Sequence, residues 1–280
     1  MRKASFKTSK YRLVLSGNTL EFYEYEKPIF YNFTISRREE SNHNEQKKDK
    51  DDNQESSRDR SRQRSKKMIK RLVYSNFGMW HNAINKPYVS KSLTLTFRDN
   101  ILTPKEGNPR FTLFVKRLNY ILFKSKKSII QYLVVIEFQP ESGRVHYHAL
   151  LFNLPYIKRI IDVFNQTWDQ GYLWIKKTGN ERKTANYITK YITKENDDRL
   201  IGEKSYFRSR GLKHPIVCLN ENFLLQVRNV FTSLTPLYKN SFENEYTGKT
   251  NYFMYNIQDN HSLKNLILNK SNESLLYSNQ

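Results

Sequence analysis

Two apolar stretches stand back to back in this chain and restrict its fold more than any other feature. QYLVVIEFQP (131–140) and RVHYHALLFN (144–153) meet through Pro140-Glu141-Ser142-Gly143. Both are short, rich in β-branched and aromatic residues and bounded by turn formers, so they read as buried strands joined in a tight hairpin. A hairpin cannot stand alone in water and needs further strands and a cover for its apolar faces. The flanking sequence supplies them. KSLTLTFRDN (91–100) alternates and reads as a strand, and RFTLFVKRLNYILFKSK (110–126) carries Phe111, Phe114, Leu118, Ile121 and Leu122 at helical spacing. IKRIIDVFNQTW (157–168) reads as a helix, GYLWIKK (171–177) as a strand and ERKTANYITKYITKEN (181–196) as a helix. The order β-α-β-β-α-β-α predicts an α+β domain over 71–215, an antiparallel sheet with helices packed on it.

Outside that domain the expectations are thinner. In residues 10–36 apolar and polar side chains alternate around Gly17-Asn18, which predicts a β-hairpin within an N-terminal segment, 1–36. Residues 37–70 have almost no apolar content and predict a disordered, charged linker. The tail, 216–280, predicts a helix near 221–234 and little pattern after it. Its YTGKT (246–250) lacks the glycine five residues before Gly248 that a phosphate-binding loop needs, since residue 243 is Glu, so no helicase domain is expected.

Charge narrows the partner. The chain has 48 Lys and Arg against 27 acids, a formal charge of +21. Such a surplus favours a polyanion through counterion release on a phosphate backbone. No run of 18 apolar residues and no signal-peptide pattern occurs, so no membrane partner is expected. The single cysteine, Cys218, can form neither an internal disulfide nor a thiolate metal cage, which suits an intracellular protein. Only four alanines occur, among abundant Lys, Asn, Ile and Tyr. That bias fits AT-rich coding DNA and a bacterial cytoplasm or an organelle such as a plastid.

The chemistry starts at His146 and His148. Two apart on a strand, they share a face at about 6–7 Å. With a hairpin centred on 142–143, Glu137 falls opposite His148 and Gln139 opposite His146, all four on one face. A carboxylate in an apolar strand is costly unless it is paired or binds a cation. Two histidines and a carboxylate offer nitrogen and oxygen donors without sulfur, which suits Mn²⁺ or Mg²⁺, with Zn²⁺ also open. The plainer alternative is a Glu–His hydrogen-bonded pair in a sheet. Further on, YITKYITK (187–194) puts Tyr187 and Tyr191 one helical turn apart, with Lys190 and Lys194 three residues after each. In isolation an amphipathic helix packing its tyrosines explains this. Beside a metal site, a phenol can attack a phosphodiester while a lysine stabilises the added charge.

These residues together resemble the HUH endonucleases, and among them the rolling-circle replication initiators (Rep proteins) of small plasmids, phages and circular single-stranded DNA elements. LTLTF (93–97) looks like the first Rep motif, HYH (146–148) like the His-hydrophobic-His motif and YITK like the Tyr-x-x-Lys motif. WDQGYLWIKK (168–177) resembles the Trp-x-x-Gly strand entry of such proteins, and the doubled YITKYITK looks like the two-tyrosine arrangement of some of them. The resemblance covers about residues 91–196. It implies a ferredoxin-like or RRM-like sheet, and metal-dependent nicking and joining of single-stranded DNA through a covalent 5′-phosphotyrosine. It implies His146, His148 and Glu137 as ligands of Mn²⁺ or Mg²⁺, and Tyr187 and Tyr191 as nucleophiles with Lys190 and Lys194 beside them. Partners would be single-stranded origin DNA and a host helicase and polymerase.

Thr94, Thr96, Arg98, Arg144, Lys176 and Lys177 are candidate DNA contacts, although by the sequence alone each charge reads equally well as a solvated one. Tyr147 is expected in the core by strand alternation. Two other readings stay open: a related transposase or relaxase, and a non-catalytic RRM-like binder whose sheet carries stacking aromatics.

Overall fold

The computed structural model describes residues 7–31, 50–192, 204–231 and 233–276, for 50–57 and 271–276 the backbone alone. In chain order the elements are β1 (Lys7–Ser16), β2 (Thr19–Tyr31), α1 (Lys50–Asn76), β3 (Lys91–Leu95), α2 (Pro104–Phe123), β4 (Tyr132–Phe138), β5 (Val145–Leu151) and α3 (Ile160–Thr167). They continue with β6 (Leu173–Lys177), α4 (Glu181–Lys190), β7 (Tyr206–Arg208), β8 (Ile216–Cys218), α5 (Glu221–Phe231), β9 (Tyr238–Asn244), β10 (Gly248–Asn256) and α6 (His261–Leu276). The fold is α+β, with two antiparallel five-stranded sheets among the described residues. The chain divides into two compact units, one of residues 1–51 with 214–280 and one of residues 52–213.

The unit of residues 52–213 has strand order β6-β3-β5-β4-β7. Its first four strands, with α2 and α3 as crossovers, make the ferredoxin-like β-α-β-β-α-β arrangement. Strand alternation sorts its side chains. Leu93, Leu95, Val134, Ile136, Tyr147, Ala149 and Leu151 go to one core with Phe111, Phe114, Leu118, Phe164 and Trp168. Leu133, Val135, Leu150 and Phe152 go to another with Ala185, Ile188 and Ile192. Tyr147 is fully buried as expected, and its hydroxyl donates to Asn108 Oδ1 at 2.8 Å.

α2 starts at Pro104, six residues earlier than the apolar spacing suggested. The backbone N–H of Thr103 (3.2 Å) and its hydroxyl (2.9 Å) both donate to the Glu106 carboxylate, closing the N-terminal turn. α4 starts where the Asn180 side chain accepts from the Lys183 amide at 2.8 Å. It ends at Lys190, before the expected 196, and residues 193–203 lie outside the described residues.

Two expectations need correction. From residue 50 onward the stretch read as a disordered linker is α1, while 37–49 lie outside the described residues. Its polar part is made largely of Lys, Arg, Gln, Asp and Ser without Pro or Gly, all compatible with helix. Its last turns bury Ile69, Leu72 and Val73 in the core that also holds α4. Asn76 fixes its end: its amide donates to the carbonyls of Leu72 and Lys213, both at 2.8 Å, and its carbonyl accepts from the Lys213 amide at 2.9 Å. The tail read as low in pattern is also structured. β8, β9 and β10 join the N-terminal hairpin in a sheet of order β8-β1-β2-β10-β9. There Phe22, Leu13, Tyr255 and Ile257 pack against Phe223, Leu224, Val227 and Phe231 of α5 and Leu263 and Ile267 of α6. Neither half could bury its apolar face alone, so the tail's pattern was invisible without its distant partner.

Candidate active site

The β4–β5 ladder sets the site. Its register pairs Glu137 with His146 and Val135 with His148. This shifts the expected pairing by two residues. Gln139 stands opposite Arg144, whose carbonyl accepts from the Gln139 amide at 2.9 Å, and the Gln139 side chain accepts from the Ser142 hydroxyl at 2.9 Å. The loop closes on Gly143 at φ 67, a left-handed conformation that glycine adopts freely. A shift of two keeps every side chain on its face, so Glu137, His146 and His148 still share one.

His148 is enclosed on three sides. Its Nε2 lies 2.6 Å from Glu137 Oε2, with side-chain exposures of 5% and 10%. Since a carboxylate can only accept, Nε2 carries the proton and donates it. Nδ1 faces the Thr94 hydroxyl at 3.4 Å, across the β3–β5 ladder. Over the imidazole lies the ring of Tyr191, with centroids 3.4 Å apart and planes within 8°. His146 is half-buried, and its pKa is lowered by that burial and then by the charge of His148, with Glu137 opposing and Arg144 adding to the effect.

Tyr187 stands edge-on to Tyr191, centroids 5.3 Å apart at 83°. Burial, the hydrogen bond with Tyr187 and the negative charges of Tyr187 and Glu137 all push the Tyr191 phenol above its ordinary value. On the far side of Tyr187, Lys176 Nζ lies 5.6 Å from its ring centre and 5.5 Å from that of Trp174. The last turn of α4 thus sits on the face that carries the histidines.

The other candidates divide. Thr94 and Lys176 reach the site, and Thr96 lies next along the strand, its hydroxyl accepting from the Tyr172 amide at 3.2 Å. Lys177 follows Lys176 by one and so takes the opposite face. Arg98 is exposed beyond β3, held by its backbone amide on the Gln170 carbonyl at 2.6 Å. Arg144 flanks the hairpin turn next to β5. Lys190 is exposed at the end of α4, and Lys194 lies outside the described residues.

β6 is held to β3 by its entry. The indole of Trp168 donates to the Thr96 carbonyl at 3.1 Å, and Gly171 passes so close to the Thr96–Arg98 backbone that a Cβ there would meet the Arg98 amide at 2.8 Å. This is the physical content of the Trp-x-x-Gly spacing. Trp174 was not among the expected site residues. It pairs with Thr94, on the face of His148, and the period of two in YLWIK was the signal available in the sequence.

Among the described residues no three His, Cys, Asp or Glu side chains stand in metal-holding geometry. Glu137 and His148 are closed on each other by a proton instead. The donor chemistry nevertheless fits a divalent cation. If the His148 proton moves from Nε2 to Nδ1, where the Thr94 hydroxyl can accept it as readily as donate, Nε2 and the carboxylate are both freed as ligands beside His146.

Residues 90–196 match the family model of the replication-associated protein ORF2. The matched segment runs from β3 past the end of α4 and holds every residue of the site just described. It supports a rolling-circle replication initiator of small DNA elements. No curated protein and no solved structure matches the chain. No described helix is long and apolar enough to cross a membrane.

Proposed function

We propose, from a segment that matches the replication-associated protein model, that this chain nicks and rejoins single-stranded DNA at an origin to start rolling-circle replication. The observation that carries the reading is the Tyr191 ring lying flat on His148 with Tyr187 against it, phenols and imidazole on one face of one sheet. A phenolic oxygen attacks the scissile phosphorus. The P–O3′ bond breaks as the P–O(Tyr) bond forms, and the phenolic proton ends on the released 3′-hydroxyl. Bond count and charge balance, so the reverse step rejoins a strand without an external energy source. Tyr187 and Tyr191, 5.3 Å apart at their rings, both lie within reach of one phosphate, which suits alternate cutting and joining.

His146, His148 and Glu137 would hold Mn²⁺ or Mg²⁺, which when bound supplies positive charge to the non-bridging oxygens. Lys176 and Lys190 are the described lysines that would stabilise the pentacoordinate phosphate, with Arg144 and Arg98 on the backbone either side. Thr94 orients the His148 ring. The partner is single-stranded origin DNA, and strand separation would fall to a host helicase, with a host polymerase extending the 3′ end.

The test incubates the chain with a mixed-sequence single-stranded oligonucleotide pool and Mn²⁺, then looks for a protein–DNA adduct on a denaturing gel. Wild type is expected to give one, lost with chelator and in the Tyr187→Phe, Tyr191→Phe double variant. Survival in each single variant means alternating nucleophiles. No adduct on any sequence, including hairpins from the encoding element, would overturn the enzymatic reading and leave a binding domain.

A further inference from the structure

We propose that the open face of the edge strand β6, centred on Trp174, is a stacking platform that holds an unpaired DNA base beside Tyr187. The proposal rests on the single-stranded DNA reading above and adds to it the surface that grips the nucleotide.

Four observations lead there. β6 ends its sheet, so no described strand lies beyond it. The middle of the same face is covered, with Leu133, Val135 and Leu150 fully buried. At the edge, by contrast, Trp174 remains 50% exposed and Tyr172 67% exposed. Single exposed aromatics need no explanation, but these two alternate along one strand with Lys176, so Tyr172, Trp174 and Lys176 face the same way. Exposed edges are usually guarded by charge, not by the largest apolar side chain.

Geometry ties the platform to the chemistry. Trp174, Thr94, His148 and Val135 form one row across β6, β3, β5 and β4. Trp174 is therefore two strand spacings from His148, about 10 Å. Lys176 Nζ sits between the rings of Trp174 (5.5 Å) and Tyr187 (5.6 Å), bridging platform and phenol. A base stacked on Trp174 puts its own phosphate near that ammonium and its neighbour's near the tyrosines. Tyr172 offers a second ring at about 7 Å along the strand for the adjacent base. Stacking of this kind tolerates any base, because every base has a π-face.

The experiment measures binding apart from cutting. The full chain, in chelator, is titrated into a labelled oligo-dT of about 16 nucleotides, and anisotropy is read for wild type, Trp174→Ala and Trp174→Phe. Trp174→Ala is expected to weaken binding by about 10- to 100-fold and Trp174→Phe to recover most of it. An oligonucleotide abasic throughout should bind wild type and Trp174→Ala alike. Equal affinity of wild type and Trp174→Ala for oligo-dT, with both folded by thermal melting, overturns the proposal even where the Mn²⁺ adduct forms. A Trp174-dependent affinity in a chain that never forms an adduct keeps the platform and removes the nicking reaction. Tighter, Trp174-dependent binding to oligo-U RNA of the same length would overturn the assignment to DNA.

Discussion

Glu137 bonds His148 at 2.6 Å although the residue it faces across the ladder is His146. The carboxylate leans diagonally, so one acid serves two histidines: one by hydrogen bond, the other by proximity and charge. Replacing it by alanine leaves the His148 N–H without its acceptor in a nearly closed site. Glu137→Ala is expected to lose about 1–3 kcal/mol of stability in urea titrations run with chelator. The same variant should lose Mn²⁺-dependent stabilisation, measured as the shift in melting temperature on adding Mn²⁺. Unchanged melting in chelator would mean that the pair contributes nothing to folding.

Tyr191 has a packing role and a proposed chemical one, and two substitutions separate them. Tyr191→Phe keeps the ring on His148, and Tyr191→Leu removes it. The leucine variant is expected to be less stable than the phenylalanine one by about 0.5–1.5 kcal/mol, the value of an aromatic pair beyond area. Both should lose any adduct that depends on the Tyr191 oxygen. Equal stability of the two would show that the stack is incidental.

Gly171 should tolerate nothing larger. A Cβ there meets the backbone between Thr96 and Arg98, which cannot yield without parting β6 from β3. Gly171→Ala is expected to cost about 1–3 kcal/mol and to weaken oligo-dT binding, since Trp174 rides on β6. Native-like amide protection along β3 in this variant, by hydrogen exchange, would refute the argument.

Alkaline pH should unfold the protein. Burial raises the phenol of Tyr132, and burial raises that of Tyr206 more than the Arg208 charge lowers it. The folded state thus keeps protons that the unfolded state gives up near pH ~10. Stability from these groups is present below that pH and is lost as pH rises above it. Tyr132→Phe is expected to flatten the fall in denaturation midpoint between about pH 9 and 11, where the unfolded phenol titrates. An unchanged slope would show that Tyr132 ionises freely in the fold.

Much of the site could be read early for a local reason. A strand's side chains alternate with period two, so His146, His148 and Glu137 had to share a face for any even register, and the two-residue error left that conclusion intact. Tyr187 and Tyr191 had to share a helix face for the same kind of reason. Trp174 was missed although its alternation was as plain, because an apolar residue in a strand reads as core until the strand is known to be an edge.

The sequence by itself determined the order of elements around the hairpin, the faces on which the reactive side chains lie and the basic charge that suits a phosphate backbone. These follow from periodicity and composition, which act over a few residues. Only the tertiary structure decided that Glu137 reaches across to His148, that α1 helps enclose the core under α4, that the tail strands complete the N-terminal sheet and that Lys176 stands between Trp174 and Tyr187. Each depends on a contact between segments apart in the chain. Register is set by the turn and the ladder's hydrogen bonds, and burial by whichever distant surface covers a face, and neither is encoded in any one stretch of residues.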